Sequence, residues 1–353
     1  MKKTLILLVF AVICGRANST TLTVSNATNL PGSPGQYTTL QAAVTAAFAG
    51  DTILIHGSPN IYAGATLTKK LTILGPGYNP QKQNALVANF FYNNFITFGN
   101  GCSNSLVAGL TGVNFNCSNS VLISNITIKR NSITSNAGPT PGIALNSNCS
   151  GFIIEQNDVL IFSPILLNGA TNTQIRNNII ATSVGGSSSP TNHIKNNLFI
   201  NLWDAFGSIS NTDISNNIFY QCDPLDAANS GVTLSTYNNN LTYSCANGNI
   251  PRGSNVGSGN IINQDPVFLN APDNANNYTT YNWRLHPTSP ALNAGTDGTD
   301  IGPTGGASPI YIYPTGVLTG EPPIPQVYYE VVPTSSVPLG GSFNVNVKAR
   351  KKN

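Results

Sequence analysis

The chain has 353 residues, 40% hydrophobic and only 8% charged, with 16 basic against 13 acidic side chains. Regularly placed Ile, Leu, Val and Phe exclude a disordered chain, and no basic stripe interleaved with aromatics is present to serve a nucleic-acid partner. Beyond the first residues, no stretch approaches the ~20 apolar residues of a membrane span, so a soluble or surface-associated mature chain is expected.

Residues 1–19 read as a signal peptide. Lys2 and Lys3 precede an apolar run from Leu5 to Cys14, and Ala17-Asn18-Ser19 places small residues at the two positions a signal peptidase reads. The expectation is export, to the extracellular space or the cell surface. Cys14 is a poor lipid-attachment site because the bulky Ile13 precedes it. Without Lys2, Lys3 and Arg16 the chain keeps 13 basic and 13 acidic residues, a net charge of zero. Lys348, Arg350, Lys351 and Lys352 crowd the C-terminus, which reads as a solvated end and leaves the body mildly acidic.

The first predicted element is a short helix. Leu40, Ala43, Val44 and Ala47 recur at helical spacing, Thr38 or Thr39 can cap the start, and Gly50 can end it in a left-handed conformation. Such a helix would plug the open end of a solenoid, which otherwise exposes an apolar interior and unpaired backbone groups.

From residue 128 a six-residue frame, Ile/Tyr-x-x-Asn-x-apolar with Thr closing the last copy, returns six times. The copies are Ile128-Asn131-Ile133, Ile154-Asn157-Val159, Ile175-Asn178-Ile180, Ile194-Asn197-Phe199, Ile214-Asn217-Phe219 and Tyr237-Asn240-Thr242. Their asparagines lie 26, 21, 19, 20 and 23 residues apart, a solenoid period too variable for a heptad. The β-branched and aromatic residues alternate with polar ones, so each copy is a strand and the repeat a β-coil. If coils stack in parallel, each framed Asn lies ~4.8 Å from the next and can donate to one neighbour while accepting from the other. Asparagine also tolerates the left-handed backbone of a sharp corner, and these two uses account for much of the chain's 49 asparagines.

Five cysteines follow the signal. Cys222 and Cys245 each lie five residues after a framed Asn, a register that brings their α-carbons to about 5 Å and predicts a disulfide. Cys102 and Cys117 form a second candidate pair, with Cys149 left as a buried small apolar residue and no zinc-ligand spacing anywhere. Residues 306–353 form a C-terminal extension. Its alternating segments Val327 to Val332 and Ser342 to Val347 predict two half-buried strands, too few for a core of their own, that pair with the side or end of the solenoid.

Several stretches carry a family likeness. Tyr37 to Ala43, Ala49 to Ile55 and Leu71 to Gly77 precede the frames; Asn260-Ile261-Ile262, Asp265-Pro266-Val267-Phe268, Trp283-Arg284-Leu285, Ser289 to Gly295 and Asp300-Ile301-Gly302 follow them. With the frames, these resemble the bacterial secreted right-handed parallel β-helix proteins of the pectate-lyase-like superfamily, over about residues 37 to 302. The resemblance implies an all-β right-handed parallel β-helix domain over 20–305, with the helix as an N-terminal cap and the strands of 306–353 as an extension. It implies no single activity, because this fold hosts lyases, hydrolases, esterases, adhesins and proteins without known chemistry.

Chemistry is sought on outward positions. Alignment by frame places Gln174, His193 and Asp213 in one column and Lys129, Glu155, Arg176 and Lys195 in another, so His193 should meet Asp213 and Glu155 should lie between Lys129 and Arg176. As a catalytic set, His193 would be a general acid or base oriented by Asp213, with Arg176 and Lys195 holding an acidic sugar. As a surface, the same residues are complementary exposed rungs of little energetic weight, and this reading is preferred. Asp204, Asp223 and Asp226 form a second candidate set for substrate or Ca²⁺, although Asp223 and Asp226 equally suit turn positions around Pro224. Trp203, Phe219, Tyr220 and Tyr243 could stack on sugar or on one another. His56 and His286 read as structural.

Asn211-Thr212-Asp213 is similar to an element of polygalacturonases, but the paired aspartates, the Gly-His-Gly and Arg-x-Lys elements, and the clustered Ca²⁺-binding acids of pectate lyases are missing. The favoured reading is therefore an exported β-helix that binds polysaccharide or cell-surface glycan, or serves as a scaffold or adhesin, without catalysis and without a required cofactor. The alternative is a polysaccharide lyase or glycoside hydrolase acting on acidic polysaccharide.

Overall fold

A computed structural model describes residues 19–27, 35–77, 86–91, 94–134, 140–160, 162–186, 191–225, 231–271 and 282–310, with the backbone of 326–331 and 346–350. Residues 1–18, nearly all of the stretch read as a signal peptide, lie outside the described residues, as do Asp226 and the side chain of Trp203.

The chain is a right-handed parallel β-helix. Each full coil contributes a strand to a ten-stranded sheet, then to a six-stranded sheet, then to a second six-stranded sheet, and neighbours within each sheet pair in parallel. Strands as short as two or three residues suffice because their backbone groups pair with the coils on either side. Ile128, Ile154, Ile175, Ile194, Ile214 and Tyr237 stack inward from the ten-stranded sheet, each with no exposed surface. Ile133, Val159, Ile180, Phe199, Phe219 and Thr242 do the same from the next sheet. Burying such a side chain contributes about 1.5–3 kcal/mol, repeated at every turn. Phe199 and Phe219 stack with ring centroids 5.2 Å apart. Phe219 is thus part of the core and unavailable to sugar.

The framed asparagines form the expected ladder. From Asn131 through Asn157, Asn178, Asn197 and Asn217 to Asn240, each Nδ2 donates to the next Oδ1 at 2.9–3.2 Å, and all six are fully buried. Each Oδ1 from Asn157 on also accepts the backbone N–H of the preceding rung, and each Nδ2 donates to the carbonyl of the inward residue one coil back. Asn260, whose coil carries Gly257 in place of the framed Ile, adds a seventh rung at 3.0 Å. A buried amide is costly unless paired; here its groups are shared with both neighbouring coils.

The corner has a residue of its own. The left-handed residue is the one before the ladder asparagine: Arg130, Gln156, Asn177, Asn196, Asn216 and Asn239 all have φ between 49° and 57°. Ladder and corner are therefore the work of two adjacent residues, since the left-handed position turns its side chain outward and leaves the next one facing in.

The predicted helix, α1, spans Leu40–Ala46, with the Thr39 side chain accepting from Ala42 N–H at 3.2 Å and Leu40, Ala43 and Val44 buried. It connects two strands that pair in parallel with each other, Thr21–Val24 and Thr52–Ile55, the first of which sequence reasoning missed. Its end is made by Ala47 in an extended conformation. Gly50, at φ +97°, serves instead the corner three residues before inward Ile53.

The predicted disulfides are not formed; Cys102, Cys117, Cys149, Cys222 and Cys245 are free thiols. The strand Leu241–Tyr243 stops short of Cys245 whereas Ile218–Asp223 runs past Cys222, and the Cys245 thiol donates to the Cys222 carbonyl oxygen at 3.0 Å. Cys117 hydrogen-bonds Cys149, which with burial raises the Cys117 thiol. In the C-terminal extension, Gln326–Val331 and Asn346–Arg350 pair antiparallel with each other, in a sheet of their own; Val332 and residues 342–345 of the predicted strands lie outside the described residues.

Candidate functional site

The outer face of the ten-stranded sheet carries the predicted columns in register: Gln174 opposite His193, His193 opposite Asp213, Glu155 between Lys129 and Arg176, and Arg176 opposite Lys195. Parallel in-register pairing makes a column of the alignment a column in space. His193 Nδ1 lies 3.1 Å from Asp213 Oδ2, and Lys195 Nζ reaches the same oxygen at 2.5 Å across the two columns. Glu155 accepts from Lys129 Nζ at 2.6 Å and from Arg176 at 2.9 Å, and Arg176 also donates to Gln174 Oε1 at 3.1 Å.

Burial works to raise both carboxyls, and their partners outweigh it. Lys195 first and then His193 hold Asp213 below the usual carboxylate range. Lys129 and Arg176 do the same for Glu155.

What sequence reasoning missed is the wall beside these columns. After Trp283 the chain runs back along the corner of left-handed residues, and their side chains bind its backbone in order. Asn239 donates to Ala294 O at 2.9 Å, while Asn216 accepts from Thr296 N–H at 2.9 Å and donates to its hydroxyl. Asn196 donates to Asp300 O, Asn177 to Gly305 O at 2.7 Å, and Gln156 to Ser308 O and Pro309 O at 3.0 and 2.9 Å. Residues 294–310 thus form a strap across five coils. A signal for it stood in the frames: the last four copies carry an Asn-Asn doublet followed by Ile or Leu. The first Asn of each doublet binds the strap, and the apolar residue after it packs beneath the returning chain, as Ile179, Leu198, Ile218 and Leu241 do with Trp283, Ala291 and Ile301.

Between strap and sheet lies a cleft of about 250 Å³, walled by Arg176, His193, Lys195 and Asn196 on one side and Thr296 and Asp297 on the other. The hydrogen bond from the Thr299 hydroxyl, opposed by burial and aided by the Lys195 charge, holds the Asp297 carboxyl low. The structure therefore brings His193, Arg176 and Lys195 to one cleft, with Asp213 bound to two of them from the side.

The other candidates are elsewhere. Asp204 stands opposite Asp223 on neighbouring strands of a different sheet. The Asp223 carboxylate is taken by the N–H and side-chain amide of Asn247, 24 residues on, at 3.0 and 2.9 Å. No group of three or more His, Cys, Asp or Glu able to hold a metal occurs among the described residues. Tyr220 is buried against Tyr243, Phe268 and Trp283, at centroid distances of 5.4, 5.7 and 6.0 Å, so it offers no stacking face to sugar. His286 Nδ1 is occupied by the Thr288 hydroxyl at 2.8 Å.

No helix among the described residues is long and apolar enough to cross a membrane. No family model matches the chain, and no curated protein matches its sequence.

Proposed function

We propose that this chain is an exported β-helix protein of the pectate-lyase-like kind that binds carbohydrate without cleaving it, as a surface adhesin or scaffold. The observation that carries the reading is the cleft under the strap. It is polar, about 250 Å³ in volume, and open along a rigid sheet, a form suited to one or two sugar units. The charges in it and beside it balance: Lys129, Arg176 and Lys195 stand against Glu155, Asp213 and Asp297, with Glu155 paired to Lys129 and Arg176, and Asp213 to Lys195. No surplus positive charge remains for a polyanion, so a neutral glycan suits the site better than an acidic one.

The same pairs argue against hydrolysis. A glycosidase needs one carboxyl raised so that it can protonate the leaving oxygen. Asp213 and Asp297 are both held down.

The test is a panel of neutral and acidic polysaccharides, scored for binding by calorimetry and for cleavage by new reducing ends and unsaturated uronates. Binding of neutral glycan that is lost in His193→Ala, with no cleavage, is the expected result. Turnover that disappears in His193→Ala or Asp213→Ala would overturn it in favour of a lyase or hydrolase. Absence of binding to every glycan would overturn it as well.

A further inference from the structure

On the other side of the His193–Asp213 pair, a second depression of about 300 Å³ opens over the corner that leads into the ten-stranded sheet; His193 lines both cavities. That corner has its own column of left-handed residues, each three positions before an inward residue: Gly50, Asn104, Asn125, Gly151, Asn172, Thr191, Asn211 and Leu234. Glycine and asparagine are the residues that this backbone accepts readily. Thr191 has a local reason to be there, since its hydroxyl accepts the N–H of Asn172 at 3.1 Å. Leu234, at φ 51°, has none. Its side chain is 62% exposed, and the column's usual Asn or Gly would suit both backbone and solvent better.

What surrounds Leu234 gives it a use. It lines the depression together with Asn211, Thr236, His193 and Asp213. Asn211 and Thr236 have no side-chain hydrogen bond in the structure, so an amide and a hydroxyl stand free beside an exposed aliphatic group. One coil further, Val256 pairs with Thr236 and is also 62% exposed, extending the apolar edge. A methyl-sized apolar contact next to hydroxyl-binding groups is complementary to a sugar ring that bears a methyl at one end and vicinal hydroxyls at the other.

We infer that this depression is a subsite for a 6-deoxyhexose unit of the bound glycan, with Leu234 receiving its methyl group and Asn211, Thr236 and Asp213 its hydroxyls. The inference rests on the carbohydrate-binding reading above and adds a specificity-determining residue to it.

The experiment compares the full chain with its Leu234→Asn variant, which restores the residue usual in the column, on sugars matched except at C6: L-fucose against L-galactose, and L-rhamnose against L-mannose. The intact protein should prefer the 6-deoxy member by roughly fivefold, the contribution of one buried methyl group. Leu234→Asn should abolish that preference, bringing affinity for the 6-deoxy member down to that for the parent hexose. Leu234→Gly, equally compatible with the backbone, should behave the same way, and thermal unfolding of both variants should be no lower than that of the parent. Glycan binding with equal affinity for both members, or with preference for an N-acetyl sugar, would overturn the subsite and leave the carbohydrate reading standing. A preference that survives both variants would overturn the role of Leu234. No glycan binding at all would overturn both proposals.

Discussion

Two outer faces of the same coils have opposite fates. On the ten-stranded sheet the outward positions are Gln174, His193, Asp213, Arg176 and Lys195, and they remain open to solvent and to a ligand. One corner away, the outward positions Ile179, Leu198, Ile218 and Leu241 are sealed beneath the returning segment with Trp283 and Ile301. Inside, the coils are nearly interchangeable. A solenoid's individuality lies in its outward residues, because the inward ones answer only to the stacking repeat.

The sealed face should be the more costly to disturb. Trp283 is 1% exposed, 5.1 Å from Phe268 and 6.0 Å from Tyr220. Trp283→Ala should remove about 4 kcal/mol of stability from the returning segment. Limited proteolysis would then cut within 283–310 before the coils, and resistance there would sink the idea that Trp283 anchors the strap.

Within the wall shared by both faces, Asn178→Ala removes one rung, stranding the Asn157 amide hydrogen and the acceptors Asn178 served. Loss of about 3 kcal/mol is expected in urea unfolding, because buried groups are left unpaired. A change below ~1 kcal/mol would mean that the ladder is incidental.

Asp158 sharpens the comparison, since it is the one carboxylate in the sealed column, with Ser132 and Ile179 beside it in register. It is 5% exposed and its Oδ1 has no partner. Burial alone pushes its carboxyl up from 3.8 to about 7. An acid whose folded-state value is raised resists ionisation in the fold. Stability should therefore be greatest below the ordinary carboxylate range, decline as pH rises between those two values, and level off above about 7. Asp158→Asn should flatten that slope and stabilise the protein by about 2 kcal/mol at pH 8. A pH profile unchanged by the substitution would show that Asp158 is not the titrating group.

On the open face the effect should be smallest. Glu155→Gln leaves Lys129 and Arg176 without their shared carboxylate, yet both cations are partly solvated, so about 1 kcal/mol is expected. Because the Glu155 carboxyl is held low, its contribution is present at neutral pH and lost as pH falls below the ordinary glutamate range. Added salt should narrow the difference between parent and variant; an effect indifferent to salt would point to packing instead.

Much of the site could be read from residue spacing. The frames placed His193 against Asp213 and Glu155 between its two cations, and those pairs are made as read. Asp297, which faces them across the cleft, was invisible, because nothing in Thr296-Asp297-Gly298 states which coil it will cross. That asparagine would serve left-handed corners was legible, but which residue of each frame takes the corner was not, since adjacent asparagines look alike until one is seen to face inward. The cysteines failed for a related reason: equal spacing from the frame holds only while both strands continue, and Leu241–Tyr243 stops short of Cys245.

The sequence by itself determined the coil, its inward stack, its asparagine ladder and the in-register pairs on its surface. In a parallel solenoid each residue meets the residue one period away, so a one-dimensional repeat already states the three-dimensional neighbour. Only the tertiary structure decided the strap, the sealed face and the cleft between strap and sheet. Those contacts join residues 55 to 153 positions apart, and most are made by side-chain amides to backbone carbonyls, which every residue possesses and no residue type announces.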